Sequence, residues 1–186
     1  NEDEAIMWWQ KSVQANQSST AALRGLTTTL MARGQYHHAA VCYAAWVKVD
    51  PSNKKIKAEL DDAMAKSKVA LAESKKALAA VTKCMALLDE GKYAESWDES
   101  AGLFRKGVTK EKWAATIKGI RTPLGKVESR TRLDADYRTS LPGSPDGQYV
   151  IFTFKTAYAN KPGAIETVTP MKDKDGKWRV SGYYIK

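Results

Sequence analysis

The spacing of apolar residues changes period once along this chain, near Gly125, and that change limits the fold more than any other feature. Up to Leu124 apolar residues recur at helical intervals. From Val127 they recur at every second position. A chain that sets its helices first and its strands second keeps the two apart. The expected class is therefore α+β, with helices packed on one side of a curved antiparallel sheet.

Residues 1–90 contain a single proline, Pro51. The stretch from Ala21 puts Leu23, Leu26, Leu30 and Met31 on one helix face. It ends at Arg33-Gly34-Gln35, where Gly34 suits the left-handed position that follows a helix. A second helix starts near Tyr36 and buries Ala39, Ala40, Tyr43 and Trp46. Val49-Asp50-Pro51-Ser52 stops it, because the residue before a proline avoids the α region. The stretch carrying Leu60 and Met64 runs on through Lys75-Lys76 and reads as a capping helix. From about Ala77 three further helices are expected. The first has Leu78, Val81, Met85 and Leu88 on one face and turns at Glu90-Gly91-Lys92. The second runs from Tyr93 and Trp97 to Leu103 and Phe104 and breaks at Gly107-Val108-Thr109. The third, capped by Thr109, holds Trp113, Ile117 and Ile120. The expected division is residues 1–76 and 77–186.

Beyond Thr122-Pro123-Leu124-Gly125, Val127, Ser129, Thr131, Leu133, Ala135 and Tyr137 alternate with six charged residues from Glu128 to Arg138. This predicts a strand with one core side and one charged side. Leu141–Gly147 reads as a loop. Tyr149–Tyr158 is the second strand, with Val150, Phe152 and Phe154 on one face. A turn at Asn160–Gly163 leads to a third strand, Ile165–Met171. The Asp175-Gly176 hairpin tip leads to a fourth, Trp178–Ile185.

Two resemblances follow from these positions. Helix, Gly-x-Tyr turn, helix and Asp-Pro turn make a unit of about 34 residues. The stretch Thr20–Asn53 resembles a tetratricopeptide repeat, with Leu26, Gly34, Tyr36, Ala39, Tyr43 and Pro51 at signature positions. Thr27 and Trp46 depart from the usual small residues. One repeat length earlier come Ala5 and Trp9, so residues 1–17 resemble the second helix of a preceding repeat. The rest of the chain, roughly Leu78–Ile185, resembles the bacterial "domain of unknown function 4019" family. The residues that carry the likeness are Leu88–Trp97, Trp113, Arg121–Gly125, Leu141-Pro142-Gly143, Pro145-Asp146-Gly147, Glu166 and Gly176–Tyr184. That resemblance implies a periplasmic or otherwise extracytoplasmic bacterial protein, its signal peptide absent from this chain, and it implies no established activity. The order of helices and sheet is also similar to nuclear-transport-factor-2-like domains, which bears on fold alone.

The net charge of +9 is uneven: residues 1–72 carry nine bases against seven acids, and residues 73–186 carry 21 against 14. The bases of the latter part are dispersed among acids and apolar residues, unlike a nucleic-acid surface. They suit an acidic protein, or a membrane touched peripherally. No apolar run approaches the ~20 residues of a membrane span. Cys42 and Cys84 fall in different helices and are read as free thiols.

Reaction chemistry finds few supports. His37 and His38 are the only histidines, and neighbours on a helix point ~100° apart, so they cannot share a metal as an i,i+4 pair does. Asp134 and Asp136 have a spacing that a hydrolytic pair could use. With Arg130, Arg132 and Arg138 on the same face, they read as an exposed charge ladder. Asp173-Lys174-Asp175-Gly176 reads as a turn, since the twelve-residue calcium pattern is missing. No phosphate-cradling glycine motif occurs.

The expectation is a non-catalytic protein–protein interaction or scaffold subunit of a bacterial envelope assembly, with no cofactor, metal or catalytic residue. Trp8, Trp9, Tyr36, His37 and Trp46 are the candidate contacts, because aromatic anchors dominate interface energetics. The alternative is a small-ligand module with an apolar pocket in the C-terminal domain. A hydrolase or isomerase in that pocket would need an inward-facing titratable group.

Overall fold

The structure is a computed structural model, described for residues 2–16 and 19–186 except the side chains of residues 2, 3 and 5. The repeat position expected at Ala5 therefore lies outside the described side chains. The helices are α1 (Glu2–Ala15), α2 (Thr20–Ala32), α3 (Tyr36–Val49), α4 (Lys54–Asp89), α5 (Tyr93–Asp98), α6 (Gly102–Gly107) and α7 (Lys110–Arg121), followed by a short 3-10 turn. The strands are β1 (Val127–Arg138), β2 (Tyr149–Tyr158), β3 (Lys161–Lys172) and β4 (Trp178–Ile185), in spatial order β1-β2-β3-β4 within one antiparallel sheet.

The chain divides into two compact units. A helical unit holds residues 1–72 with 138–140, and a sheet unit holds 73–137 with 141–186. The boundary falls inside α4, at 72/73 rather than at the expected 76/77. Glu73 is tied to the sheet unit: its carboxylate accepts from Lys172 Nζ at 2.9 Å and from Trp178 Nε1 at 3.0 Å.

In the helical unit, Ser19 caps α2 by accepting from the Ala22 N–H. Gly34, at φ 77°, closes α2, with the Gln35 N–H reaching back to the Leu30 carbonyl at 2.9 Å. This is the left-handed closure expected after a helix. Leu23, Leu26 and Leu30 of α2 pack with Ala39, Ala40, Tyr43 and Trp46 of α3 and with Ile56 and Ala63 of α4. Ile6, Trp9 and Val13 of α1 lie against this core.

Two helix expectations are corrected. The capping helix and the helix from Leu78 are one 36-residue helix, α4. Nothing at Ala77 breaks it, for residues 54–89 hold neither Gly nor Pro. Buried Ile56, Ala63, Ala70, Ala77 and Cys84 recur at intervals of seven straight through that point. Conversely, the helix expected from Tyr93 to Phe104 splits into α5 and α6. At the break the Ala101 N–H donates to the Val180 carbonyl of β4 at 2.8 Å instead of to its own helix. The Ser96 and Ser100 hydroxyls occupy the Tyr93 and Trp97 carbonyls.

The sheet unit has its own core. Ala77, Val81, Cys84, Met85 and Leu88 of α4 and Ile117 of α7 meet Val150, Phe152, Phe154, Val168, Trp178 and Val180 of the sheet. β2 and β4 begin and end where the alternation places them, whereas β3 extends back to Lys161. Between Thr156/Tyr158 and Ala164/Lys161 the pairing gains one residue on β3, where Gly163 takes φ 85°. A second shift lies on β4, where Thr169 pairs Gly182 but Pro170 pairs Val180, so Ser181 is a bulge. A bulge reverses the parity of the side chains that follow it. Trp178 and Val180 therefore point inward before it and Tyr183 points inward after it.

Some expected core positions are exposed. Ile120 is 46% exposed. The inward arc of α7 turns toward Ile117 and Arg121, one helical turn apart, and leaves Ile120 outside. On β1, Leu133 is 56% exposed. Burial changes parity along this strand: Arg130 is partly buried, Ser129 and Thr131–Asp134 are exposed, and Ala135 and Tyr137 pack on the core.

Candidate functional site

Two features stand out, one in each unit. In the sheet unit an ionised cluster sits at one end of the core. β3 turns Ala164, Glu166 and Val168 inward, so an acid occupies a core register. Glu166 has no solvent exposure. An ionised carboxylate there is tolerable only when its lone pairs are filled and its charge is balanced. Both conditions hold. Oε2 accepts from Arg130 Nε at 2.7 Å and from the Thr156 hydroxyl. Oε1 accepts from the Tyr158 hydroxyl at 2.7 Å, the Tyr183 hydroxyl and Arg121 Nη1 at 3.4 Å.

Both guanidiniums extend to a second carboxylate, Asp89, at the end of α4. Arg121 Nη2 donates to Asp89 Oδ1. Arg130 donates to Oδ2 at 2.7 Å and to Oδ1 at 3.0 Å. Arg121 also donates to the Tyr183 hydroxyl at 2.9 Å and lies over the Tyr158 ring at 5.3 Å. Two arginines thus offset two carboxylates. The cluster joins the end of α4, α7 and all four strands.

Titration follows from these contacts. Burial alone would raise the Glu166 pKa, but hydrogen bonds from Arg130, Thr156, Tyr183 and Tyr158 outweigh it and hold the carboxyl below its ordinary value. Burial and the neighbouring Glu166 push the Tyr158 hydroxyl up to about 12. Burial and Glu166 also raise Tyr183. The inward-facing groups are therefore an ionised carboxylate, fully hydrogen-bonded by protein donors, and protonated phenols. A general base needs a lone pair directed at a substrate, and the lone pairs of Glu166 face its own neighbours.

The cluster corrects the reading of β1 as an exposed ladder at one position: Arg130 is an inward arm. The inward parity of Glu166 beside Val168 was the available sign that a buried acid needed partners. Arg130, Thr156 and Tyr158 carried no local motif. Elsewhere on the ladder Asp134 is exposed and Asp136 is half-buried. At the hairpin tip, Asp173 and Asp175 both accept from Arg179 at 2.9 Å. Among the described residues no group of three His, Cys, Asp or Glu side chains is arranged to hold a metal.

In the helical unit a concave pocket of about 310 Å³ opens across α2, α3 and the start of α4. Its lining includes Arg24 and Thr28 of α2, Tyr43 and Trp46 of α3, and Lys55 and Glu59 of α4. Arg24 lies over the Trp46 ring at 5.9 Å, and Lys55 approaches Glu59 at 4.0 Å.

The five expected contact residues are not gathered at one place. Trp46 lines the pocket but is only 6% exposed, being stacked on Tyr43 within the core. Trp8 is 59% exposed and meets Trp9 edge-on at 4.6 Å. Trp9 itself is half-buried against the core. Tyr36 is half-buried, with Lys66 Nζ 6.0 Å from its ring centre. His37 is exposed.

Residues 80–183, more than half of the chain, match the family described as "Protein of unknown function (DUF4019)". No curated protein and no solved structure matches the chain.

Proposed function

The chain belongs to the DUF4019 family, whose description assigns no activity, and from that premise we propose that it works as a non-catalytic protein-binding subunit. The observation that carries this reading is the pocket across α2, α3 and α4. Pockets with an apolar floor and a few directed polar groups are where ligands gain both affinity and orientation. Here Trp46, Tyr43 and Ile56, each nearly buried, form the smaller apolar part, and Arg24, Thr28, Lys55 and Glu59 make most of the lining polar. The helical unit is a tetratricopeptide-like hairpin array, and its ligand is a peptide segment or helix of another protein. Trp8 and His37 are exposed and stay candidate contacts apart from that pocket.

The sheet unit supports this reading from the other side. Its buried carboxylates, Glu73 and Glu166, are both engaged by neighbouring side chains, and its interior is filled by Val150, Phe152, Val168 and Ile117. An apolar small ligand would have to displace that core. The proposal includes an extracytoplasmic place in a bacterial envelope assembly, which rests on the family resemblance. No helix among the described residues is long and apolar enough to cross a membrane.

The test is site-specific photo-crosslinking in the native host. A photoreactive residue at Thr28 should give one discrete adduct with another polypeptide, and the same residue at exposed Lys155 of β2 should not. Absence of an adduct at Thr28, or the same adduct at both positions, would refute the proposal.

A further inference from the structure

The strand order leaves β1 at the edge of the sheet, with β2 as its one strand neighbour. Edge strands are open templates for pairing unless something blocks them. The centre of β1 is open: Thr131, Arg132, Leu133 and Asp134 are all exposed. Arg132 and Asp134 make no ion pair among the described residues. We propose that β1 pairs antiparallel with β1 of a second copy of this chain, about a two-fold axis at Leu133.

The charge pattern fixes both partner and register. With the axis at Leu133, Arg132 of one copy lies opposite Asp134 of the other, and the reverse pair forms by symmetry. Leu133 meets its own copy between them. In sequence the same register sets Glu128 opposite Arg138 and Arg130 opposite Asp136, so no like charges meet. Neighbouring registers fail. Axes at 132 and 134 oppose Arg132 to itself and Asp134 to itself. An axis at 131 opposes Arg130 to Arg132, and one at 135 opposes Asp134 to Asp136. Like charges directly opposite are destabilising. Because Arg130 is committed to Glu166 and Asp89, the contact rests on the exposed centre, Arg132-Leu133-Asp134. A charged edge deters unrelated strands, and a self-matching one admits its own copy.

The test uses the full chain in sedimentation equilibrium at low salt, over about 1 μM to 1 mM, the range in which a modest edge contact is populated. Wild type should dimerise. Arg132→Asp or Asp134→Arg alone places two like-charged contacts across the axis and should weaken the dimer about tenfold or more. The double variant Arg132→Asp/Asp134→Arg restores opposite charges and should recover wild-type affinity. Leu133→Cys should form a disulfide-linked dimer on mild oxidation, because paired positions bring Cα atoms within bridging distance. A chain monomeric throughout the range would overturn the proposal and leave the edge as purely protective. So would a double variant no better than the single ones, or a Leu133→Cys chain that does not crosslink.

Discussion

Glu166 shows what one misplaced-looking residue can organise. Its carboxylate is the point on which Arg121, Arg130, Thr156, Tyr158 and Tyr183 converge. Glu166→Gln keeps the shape but removes one of the two charges that offset the guanidiniums, and it turns an acceptor oxygen into a donor facing donors. Breaking a buried pair in this way costs about 3–5 kcal/mol. Urea denaturation of the full chain should show that loss, and a loss below about 1 kcal/mol would mean that the cluster does not hold the unit together. A second carboxylate predicts an acid response. Hydrogen bonds from Lys76 and Lys172 hold Glu73 down at about 2, against about 4.3 for a free glutamate. A depressed folded pKa contributes stability that is fully present above the unfolded value and lost as pH falls toward the folded one. Part of the acid destabilisation between about pH 4.5 and 2 should therefore vanish in Glu73→Gln, read as urea midpoints at pH 6, 4 and 3. In the sequence Glu166 was visible as part of a resemblance, and its parity with Val168 was legible. Its partners were not, because they come from residues 89 to 183 and only the folded chain brings them together.

The elements were legible where backbone chemistry is local and less so where tertiary contacts override it. Gly34-Gln35-Tyr36 and Gly91-Lys92-Tyr93 both close one helix and start the next. Each glycine has positive φ, and the next N–H reaches back five residues, Gln35 to Leu30 and Lys92 to Leu87. Such closures depend on a few adjacent residues and can be read directly. The split between α5 and α6 depends on a hydrogen bond to β4, and the parity changes on β1 and β4 depend on neighbouring strands, so periodicity alone misassigns Leu133. Contact between helices gives a test at this scale. A Cβ on Gly25 of α2 would stand 2.3 Å from the Trp9 ring of α1. Gly25→Ala gains about 1 kcal/mol of helix propensity, but overpacking costs about 1–3 kcal/mol. Because the nearest atoms to that Cβ all belong to the Trp9 ring of α1, amide exchange should accelerate across Glu4–Ala15 while α3 keeps its protection. Unchanged exchange on α1 would show that the Trp9 ring moves aside without cost.

The whole molecule combines two units of unequal charge, +2 over residues 1–72 and +7 over residues 73–186. The boundary itself was hidden, since one helix crosses it and no Pro, Gly or change of period marks residue 72. What marks it is Glu73, whose partners Lys172 and Trp178 lie about a hundred residues away. The same fact says where the sheet unit can be cut. Residues 73–186 retain Glu73, the core from Ala77 to Val180 and every member of the Glu166 cluster. The part of α4 that remains, Glu73–Asp89, is too short to be stable as an isolated peptide, but it is held by its apolar face. That fragment should therefore unfold in one cooperative urea transition and keep a near-ultraviolet circular dichroism signal from Trp113 and Trp178. Glu166→Gln should cost the fragment the same about 3–5 kcal/mol as the full chain, since sites without shared partners add independently. A fragment with helical signal but no near-ultraviolet bands would instead mean that residues 1–72 complete the core of the sheet unit, and that the two units fold as one.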